Sequence, residues 1–101
     1  MSEPVAGPSG PGTVVMELGA GVGALILYTP AGLDGEEIEI SRDGAPRTHS
    51  RVRPRPLPGQ TRYVAVYPGL PAGRYTIWRA YTSVAAVTVT GGQVSSCHWP
   101  G

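Results

Sequence analysis

Apolar and polar residues alternate along much of this chain with a period of two, which is the pattern of half-buried β-strands. The alternation is clear in Glu37-Ile38-Glu39-Ile40 and again in Tyr75-Thr76-Ile77-Trp78. Proline or glycine interrupts the chain every few residues, which disfavours helices. The pattern therefore predicts strands joined by turns, with no helix.

Eight segments of the chain carry this strand pattern: residues 13–18, 24–29, 36–42, 46–53, 62–67, 74–79, 84–90 and 93–99. Short strands at this spacing are typical of sandwiches and barrels. We expect an all-β fold, a single small antiparallel β-sandwich of about seven strands. Residues 1–12 are rich in proline and glycine and are expected to form a disordered tail, so the sandwich domain should comprise residues 13–101.

Two hairpins are predicted from turn chemistry. Arg42-Asp43-Gly44 fits a three-residue loop with Gly44 in the left-handed conformation. This register places Glu39 opposite Arg47 and Glu37 opposite His49, with the alternate apolar residues facing the core.

Gly91-Gly92 predicts a second hairpin with a two-residue turn, which would set Val89 opposite Val94 on the core face. A regular continuation of this strand points His98 inward and Trp99 outward. A bulge in the strand would reverse both orientations, and the sequence leaves the two alternatives open.

The turn between the two strands around residue 70 has the sequence Leu70-Pro71-Ala72-Gly73-Arg74-Tyr75. It resembles the Leu-Pro-x-Gly-x-Tyr signature of Cna-B-type and carboxypeptidase-regulatory-like domains, which are small prealbumin-like β-sandwiches. The resemblance implies that Leu70 and Tyr75 are core residues. It also implies a departure, because Cna-B-type isopeptide bonds are built from lysine and this chain contains none.

Residues 19–23, Gly19-Ala20-Gly21-Val22-Gly23, look like the glycine motif of S-adenosylmethionine-dependent methyltransferases or of dinucleotide-binding proteins. That chemistry requires the glycine turn to lead into a helix on a parallel sheet. The residues that follow read as a strand ended by Pro30, so we keep this ligand only as a remote alternative and expect no cofactor.

Basic residues occupy every second position from Arg47 to Arg55, so an extended chain carries them on one face. Arg53-Pro54-Arg55-Pro56 has no cross-strand partner in the register above, and its prolines predict an edge or polyproline-like segment. We therefore expect Arg53 and Arg55 to bind a partner protein. Trp78, which alternates with core positions, is predicted to lie outside the core and to extend this contact.

Cys97, His98 and His49 are the candidates for nucleophilic or metal chemistry. Adjacent residues on a strand point to opposite faces, so Cys97 and His98 cannot chelate one ion on a regular strand. We predict no catalytic residue and no metal site. The alternative is a minimal hydrolase or metal-dependent protein that uses these three side chains.

The net charge of +1 argues against a nucleic-acid or membrane-surface partner. The single cysteine excludes an internal disulfide, and no apolar run is long enough to span a membrane or resembles a secretory signal. A cytoplasmic protein is therefore expected. The absence of lysine and the abundance of Gly, Ala, Pro and Val suggest a GC-rich genome, and we expect a bacterial source. The sequence thus predicts a non-enzymatic interaction or accessory module.

Overall fold

A computed structural model of the protein describes residues 20–100. This part of the chain forms an all-β sandwich, as the alternation predicts. It contains eight strands and one 3₁₀ turn, Ala31–Leu33. The strands are β1 (Val22–Thr29), β2 (Glu37–Arg42), β3 (Thr48–Arg51), β4 (Arg53–Leu57), β5 (Gln60–Pro71), β6 (Gly73–Arg79), β7 (Thr82–Val89) and β8 (Val94–His98). The predicted strand at residues 13–18 and the predicted tail at 1–12 lie outside the described residues.

The strands form two four-stranded sheets that pack face to face. Sheet A has the order β4-β5-β1-β8, and sheet B has the order β3-β2-β6-β7. Neighbouring strands are antiparallel except for β1 and β8, which run parallel. The predicted strand at residues 46–53 is divided between the sheets, because the chain leaves sheet B after Arg51 and enters sheet A at Arg53.

The core consists of aliphatic side chains from the inner faces of both sheets. Leu25 and Leu27 of β1 are fully buried, and so are Ile40 of β2 and Ile77 of β6. Val52, between β3 and β4, is also fully buried. Burying aliphatic side chains of this size stabilises a fold by about 1.5–3 kcal/mol each relative to exposure, so this layer accounts for the pairing of the two sheets.

Side-chain hydrogen bonds between described residues connect the sheets across or beside this core. The buried Tyr67 hydroxyl on β5 donates to the backbone oxygen of Ile38 on β2 at 2.7 Å. The Ser50 hydroxyl on β3 donates to the backbone oxygen of Val66 on β5 at 2.8 Å. Burial raises the pKa of Tyr67, because the phenolate would lose its hydration in the core.

The turn from Leu70 to Tyr75 joins sheet A to sheet B. Leu70 is 6 % exposed and Tyr75 is 3 % exposed, so both are core residues as the resemblance implies. The Tyr75 hydroxyl donates to the backbone oxygen of Pro71 at 2.7 Å, which ties the returning strand to the turn. Gly73 has φ +151°, a conformation that other residues rarely adopt.

The first predicted hairpin exists with a different register. Gly44 has φ +75°, as expected for its turn position, but the loop is longer and Glu39 pairs with His49 rather than with Arg47. The shift equals two residues, so it preserves the faces of both strands. Arg47 Nη1 still reaches Glu39 Oε1 at 2.9 Å by leaning along the strand.

The second predicted hairpin is wrong. β7 belongs to sheet B and β8 to sheet A, so Gly91-Gly92 joins the two sheets and Val94 is 51 % exposed. The parallel pairing of β8 with β1 is what removes β8 from β7. Trp99 packs against the core and His98 is exposed. These are the orientations that the bulge alternative predicted, but β8 pairs with β1 in a regular register.

We predict that Tyr67→Phe destabilises the domain by about 1–3 kcal/mol, because the buried carbonyl of Ile38 would lose its donor. Urea unfolding measures this loss. Tyr81→Phe is the matched control, since Tyr81 is 93 % exposed and should tolerate the change. Equal stability of Tyr67→Phe and the native chain would contradict the role of this bond.

Stability should also fall in alkaline solution. The folded state holds the pKa of Tyr67 above its ordinary value of 10.0, so its contribution is complete below that pH and is lost as the pH rises above it. Burial also raises the pKa of Tyr75, so Tyr67→Phe should reduce the alkaline loss without removing it. Thermal melting measured on both proteins across this pH range tests the prediction.

Candidate functional site

The alternating basic stripe faces outward along its whole length, but it is divided between the two sheets. Val52 points into the core at the centre of the stripe. His49 and Arg51 lie on β3 of sheet B, whereas Arg53 and Arg55 lie on β4 of sheet A. The crossing at Val52 therefore places the two arginines of β4 on a different surface from the rest.

β4 is the edge strand that its prolines predict. Prolines occur in sheets where their nitrogen faces solvent, and Pro54 and Pro56 share one edge because they are two residues apart. β4 does have a partner, since it pairs with β5 throughout. Arg55 lies opposite Arg62 in that pairing, and it is engaged in a further interaction within the protein.

The outer face of sheet A carries an aromatic pair beside these arginines. Tyr28 of β1 and His98 of β8 are register partners, and their rings stack with centroids 5.0 Å apart and an interplanar angle of 22°. The guanidinium carbon of Arg62 lies 5.2 Å from the centroid of the Tyr28 ring. Arg53 lies on the same face, since it is opposite Val64, which is itself opposite Tyr28.

We call this surface the basic face and define it by five residues: Tyr28, Arg53, Arg55, Arg62 and His98. A shallow cleft of about 320 Å³ lies at one end of it, lined in part by Tyr28, Arg62 and His98. The arginines of β4 were found by sequence reasoning, but Tyr28 and Arg62 were not. Tyr28 and Arg62 can be recognised as part of this surface only when the fold shows that β1, β4 and β5 are neighbours.

The acidic side chains are confined to one side of the sandwich, whereas arginines occur on both sheets. Within the described residues, every acidic side chain lies between Asp34 and Asp43, on β2 and the loops beside it. None of the four strands of sheet A contains an aspartate or glutamate. The basic face therefore has a local positive charge that the net charge of the chain conceals.

Trp78 lies elsewhere, on the outer face of sheet B. Its Nε1 donates to the Ser41 hydroxyl at 2.8 Å, and the guanidinium carbon of Arg47 lies 4.0 Å from the centroid of its ring. Arg47 in turn contacts Glu39, so the half-buried indole is part of a local network. The structure does not bring Trp78 next to Arg53 and Arg55.

Sheet B has a cleft of about 340 Å³ beside this network. Its lining includes Trp78, Trp99, Glu37 and Glu39. Glu37 is already paired with Arg51 at 2.8 Å, and Glu39 is paired with Arg47 at 2.9 Å. Internal ion pairs thus satisfy two of the carboxylates that line this cleft.

The structure does not bring His49, Cys97 and His98 together. His49 lies on the outer face of sheet B, His98 on the outer face of sheet A, and Cys97 packs toward the core between them. Burial raises the pKa of the Cys97 thiol, which disfavours the nucleophilic thiolate. In residues 20–100, no cluster of three His, Cys, Asp or Glu side chains is arranged to hold a metal ion.

The glycine segment continues into β1 and not into a helix. Gly23 lies where the loop after β7 passes: a methyl group there would meet the backbone oxygen of Gln93 at 3.0 Å, and that of Thr90 more closely. The glycine thus permits a close approach of two backbones. Between residues 20 and 100, no helix has the length and apolar character needed to cross a membrane.

No protein-family model matches the chain, and no curated protein or solved structure matches it either.

The role of Gly23 is testable with a matched pair of glycines. Gly23→Ala should destabilise the domain by about 1–3 kcal/mol, because overpacking forces the backbone to move. Gly21→Ala should have little effect, since nothing lies within 4 Å of the added methyl group. Thermal melting of both variants decides it, and equal melting temperatures would show that the two backbones are not in close contact.

Proposed function

We propose that this domain is a non-enzymatic interaction module that binds an acidic segment of a partner protein through the basic face of sheet A. The observation that carries the proposal is the distribution of charge: the charged residues on the strands of sheet A are all basic. A guanidinium group donates in a planar fork that matches a carboxylate. This surface is therefore suited to bind acidic side chains.

The position of Arg62 supports this occupant. Its guanidinium carbon lies 5.2 Å from the centroid of the Tyr28 ring, on the outer face that also carries Arg53. The neighbouring Tyr28–His98 stack adds an aromatic platform, which is a common feature of protein interfaces.

A protein partner is favoured over nucleic acid by the extent of the charge. The basic face contains three arginines, whereas binding the phosphate backbone depends on an extended positive field. The acidic residues of β2 and its flanking loops limit that field.

The wider relationship is also part of the proposal. We infer a prealbumin-like sandwich related to the Cna-B-type and carboxypeptidase-regulatory-like domains, and the core positions of Leu70 and Tyr75 support it. A cytoplasmic location fits the single free cysteine. In this proposal Trp78 stabilises sheet B through Arg47 and Ser41 and does not extend the basic face.

The binding prediction uses a fluorescein-labelled oligoglutamate peptide as the probe. Its fluorescence anisotropy should rise with added protein, and the affinity should fall as salt screens the charges. The double variant Arg53→Glu, Arg62→Glu should lose this binding. Its melting temperature should change little, since exposed substitutions stay within about ±0.5 kcal/mol.

The control is Arg74→Glu, Arg79→Glu, which changes the net charge equally on exposed positions of sheet B. It should bind the peptide like the native chain. Equal losses in both double variants would mean that only net charge matters, and would contradict the assignment to sheet A. Tighter binding to a DNA oligonucleotide than to the peptide would contradict the protein partner.

A further inference from the structure

The cleft of about 340 Å³ beside Trp78 is built where strands of both sheets begin or end. Glu37 begins β2, Arg79 ends β6, and Trp99 follows β8 of sheet A. The backbone N–H of Trp99 donates to the oxygen of Tyr28 on β1 at 2.7 Å, which fixes the chain at this point. A cleft of this volume lies within the range of about 300–1,000 Å³ that is typical of small-ligand sites. We call it the tryptophan cleft, because Trp78 and Trp99 both line it.

The apolar part of the lining comes from these two indoles and from Leu33 of the 3₁₀ turn. The guanidinium carbon of Arg47 lies 4.0 Å from the centroid of the Trp78 ring, and Trp99 also packs against the core. Each indole is therefore held in place by contacts within the protein, and each is only partly buried. Aromatic and aliphatic surface of this kind in a cleft favours a ligand with an apolar face.

The polar part of the lining contains both donors and acceptors. In residues 20–100 neither Glu36 nor Arg79 forms an ion pair, so a carboxylate and a guanidinium group are available to a ligand. The indole N–H of Trp99 likewise has no acceptor among the described residues. Two backbone bonds of 2.9 Å, one to Leu33 and one from Val52, fix the position of Glu36. A hydroxyl group both donates and accepts, so a ligand with several hydroxyl groups matches this mixture.

The charges of the tryptophan cleft are balanced. Two of the three carboxylates in the lining, Glu37 and Glu39, already form ion pairs with arginines. Arg79 offsets the third, Glu36. A surface whose charges sum to zero attracts neither cations nor anions over a distance. The observations therefore favour an uncharged ligand.

The position of the cleft disfavours a peptide. β2 and β6, which contribute to the lining, are the two inner strands of sheet B, and they pair with each other and with β3 and β7. A peptide that adds to a sheet requires an open strand edge for its main chain, and inner strands have none. Recognition in this cleft therefore depends on side chains.

We propose that the tryptophan cleft binds a neutral saccharide. A pyranose ring has an apolar face of C–H groups and a rim of hydroxyl groups, so it combines the two properties of the lining. The indoles contact the C–H face, Glu36 accepts hydrogen bonds from hydroxyl groups, and Arg79 and the Trp99 N–H donate to hydroxyl oxygens. This site lies apart from the basic face and goes beyond the function proposed for it.

Tryptophan fluorescence of the full chain reports on this site directly, because the chain has no tryptophan outside the cleft. The probes are maltose, cellobiose and lactose. At least one of them should change the fluorescence in a saturable way. Its affinity should not depend on salt, since the ligand carries no charge to be screened. Choline and the oligoglutamate peptide should leave the fluorescence unchanged.

The decisive variant is Glu36→Ala, which should weaken saccharide binding by about tenfold or more, because it removes a charged acceptor. Asp43→Ala is the matched control, since it removes the same charge from an exposed position outside the cleft and should bind like the native chain. The double variant Arg53→Glu, Arg62→Glu should also bind the saccharide like the native chain, which separates this site from the basic face. Both alanine variants should keep the native melting temperature, since both positions are exposed.

A fluorescence that none of the three saccharides changes overturns the proposal. Equal weakening by Glu36→Ala and Asp43→Ala overturns it too, because the effect would then come from net charge and not from the cleft. A saturable response to choline alone would assign the cleft to a cation, and a response to the peptide alone would assign it to a protein partner. Either result contradicts a saccharide site, and neither depends on the charge of sheet A.

Discussion

The Tyr67 phenol reaches from sheet A to the backbone of sheet B and, together with the bond from Ser50 to Val66, it aligns the two sheets. Aliphatic side chains account for most of the burial, but apolar contact has no direction and tolerates sliding of one sheet over the other. The bond from Tyr67 to Ile38 is directional and buried. It also gives the buried hydroxyl of Tyr67 an acceptor. The same side chain thus contributes both to the alignment of the sheets and to the satisfaction of a buried polar group.

The alternation of apolar and polar residues predicts which face of a strand each residue occupies. It is less informative about which residues of the neighbouring strand lie opposite. The hairpin from β2 to β3 slipped by two residues from the predicted register, yet Ile38 and Ile40 are buried as expected. A slip of two changes which residues are opposite but not which face they occupy. The alternation depends only on neighbouring positions, so the predicted faces stay correct even when the predicted register is wrong. The ion pair of Arg47 with Glu39 survived as well, because a long side chain spans the difference.

The error at Gly91-Gly92 has a different origin. Two glycines between apolar runs are a strong local hairpin signal. The choice of sheet for β8, however, is made by its parallel pairing with β1, whose residues lie seventy positions earlier in the chain. Gly91 and Gly23 allow the backbones to approach closely where the chain crosses between the sheets. The Gly91-Gly92 pair was therefore read correctly as a tight turn, which the bond from Gln93 N–H to the Thr90 oxygen closes, and incorrectly as the connection of a hairpin. A local sequence pattern does not show with which distant strand β8 pairs.

Part of the basic face can be predicted from the sequence before the fold is known. Arg53 and Arg55 were expected at the surface from the spacing of the stripe, and Pro54 and Pro56 indicated an edge. The rest of the face comes from β1, β5 and β8, whose adjacency is a tertiary property.

The edge and the charge of β4 are also linked. The prolines prevent another strand from pairing there, so a partner that binds beside β4 contacts side chains and not an open backbone. The strands next to this edge carry Arg53 and Arg62 and no acidic side chain. This side of the sandwich is therefore suited to discriminate between partners by charge.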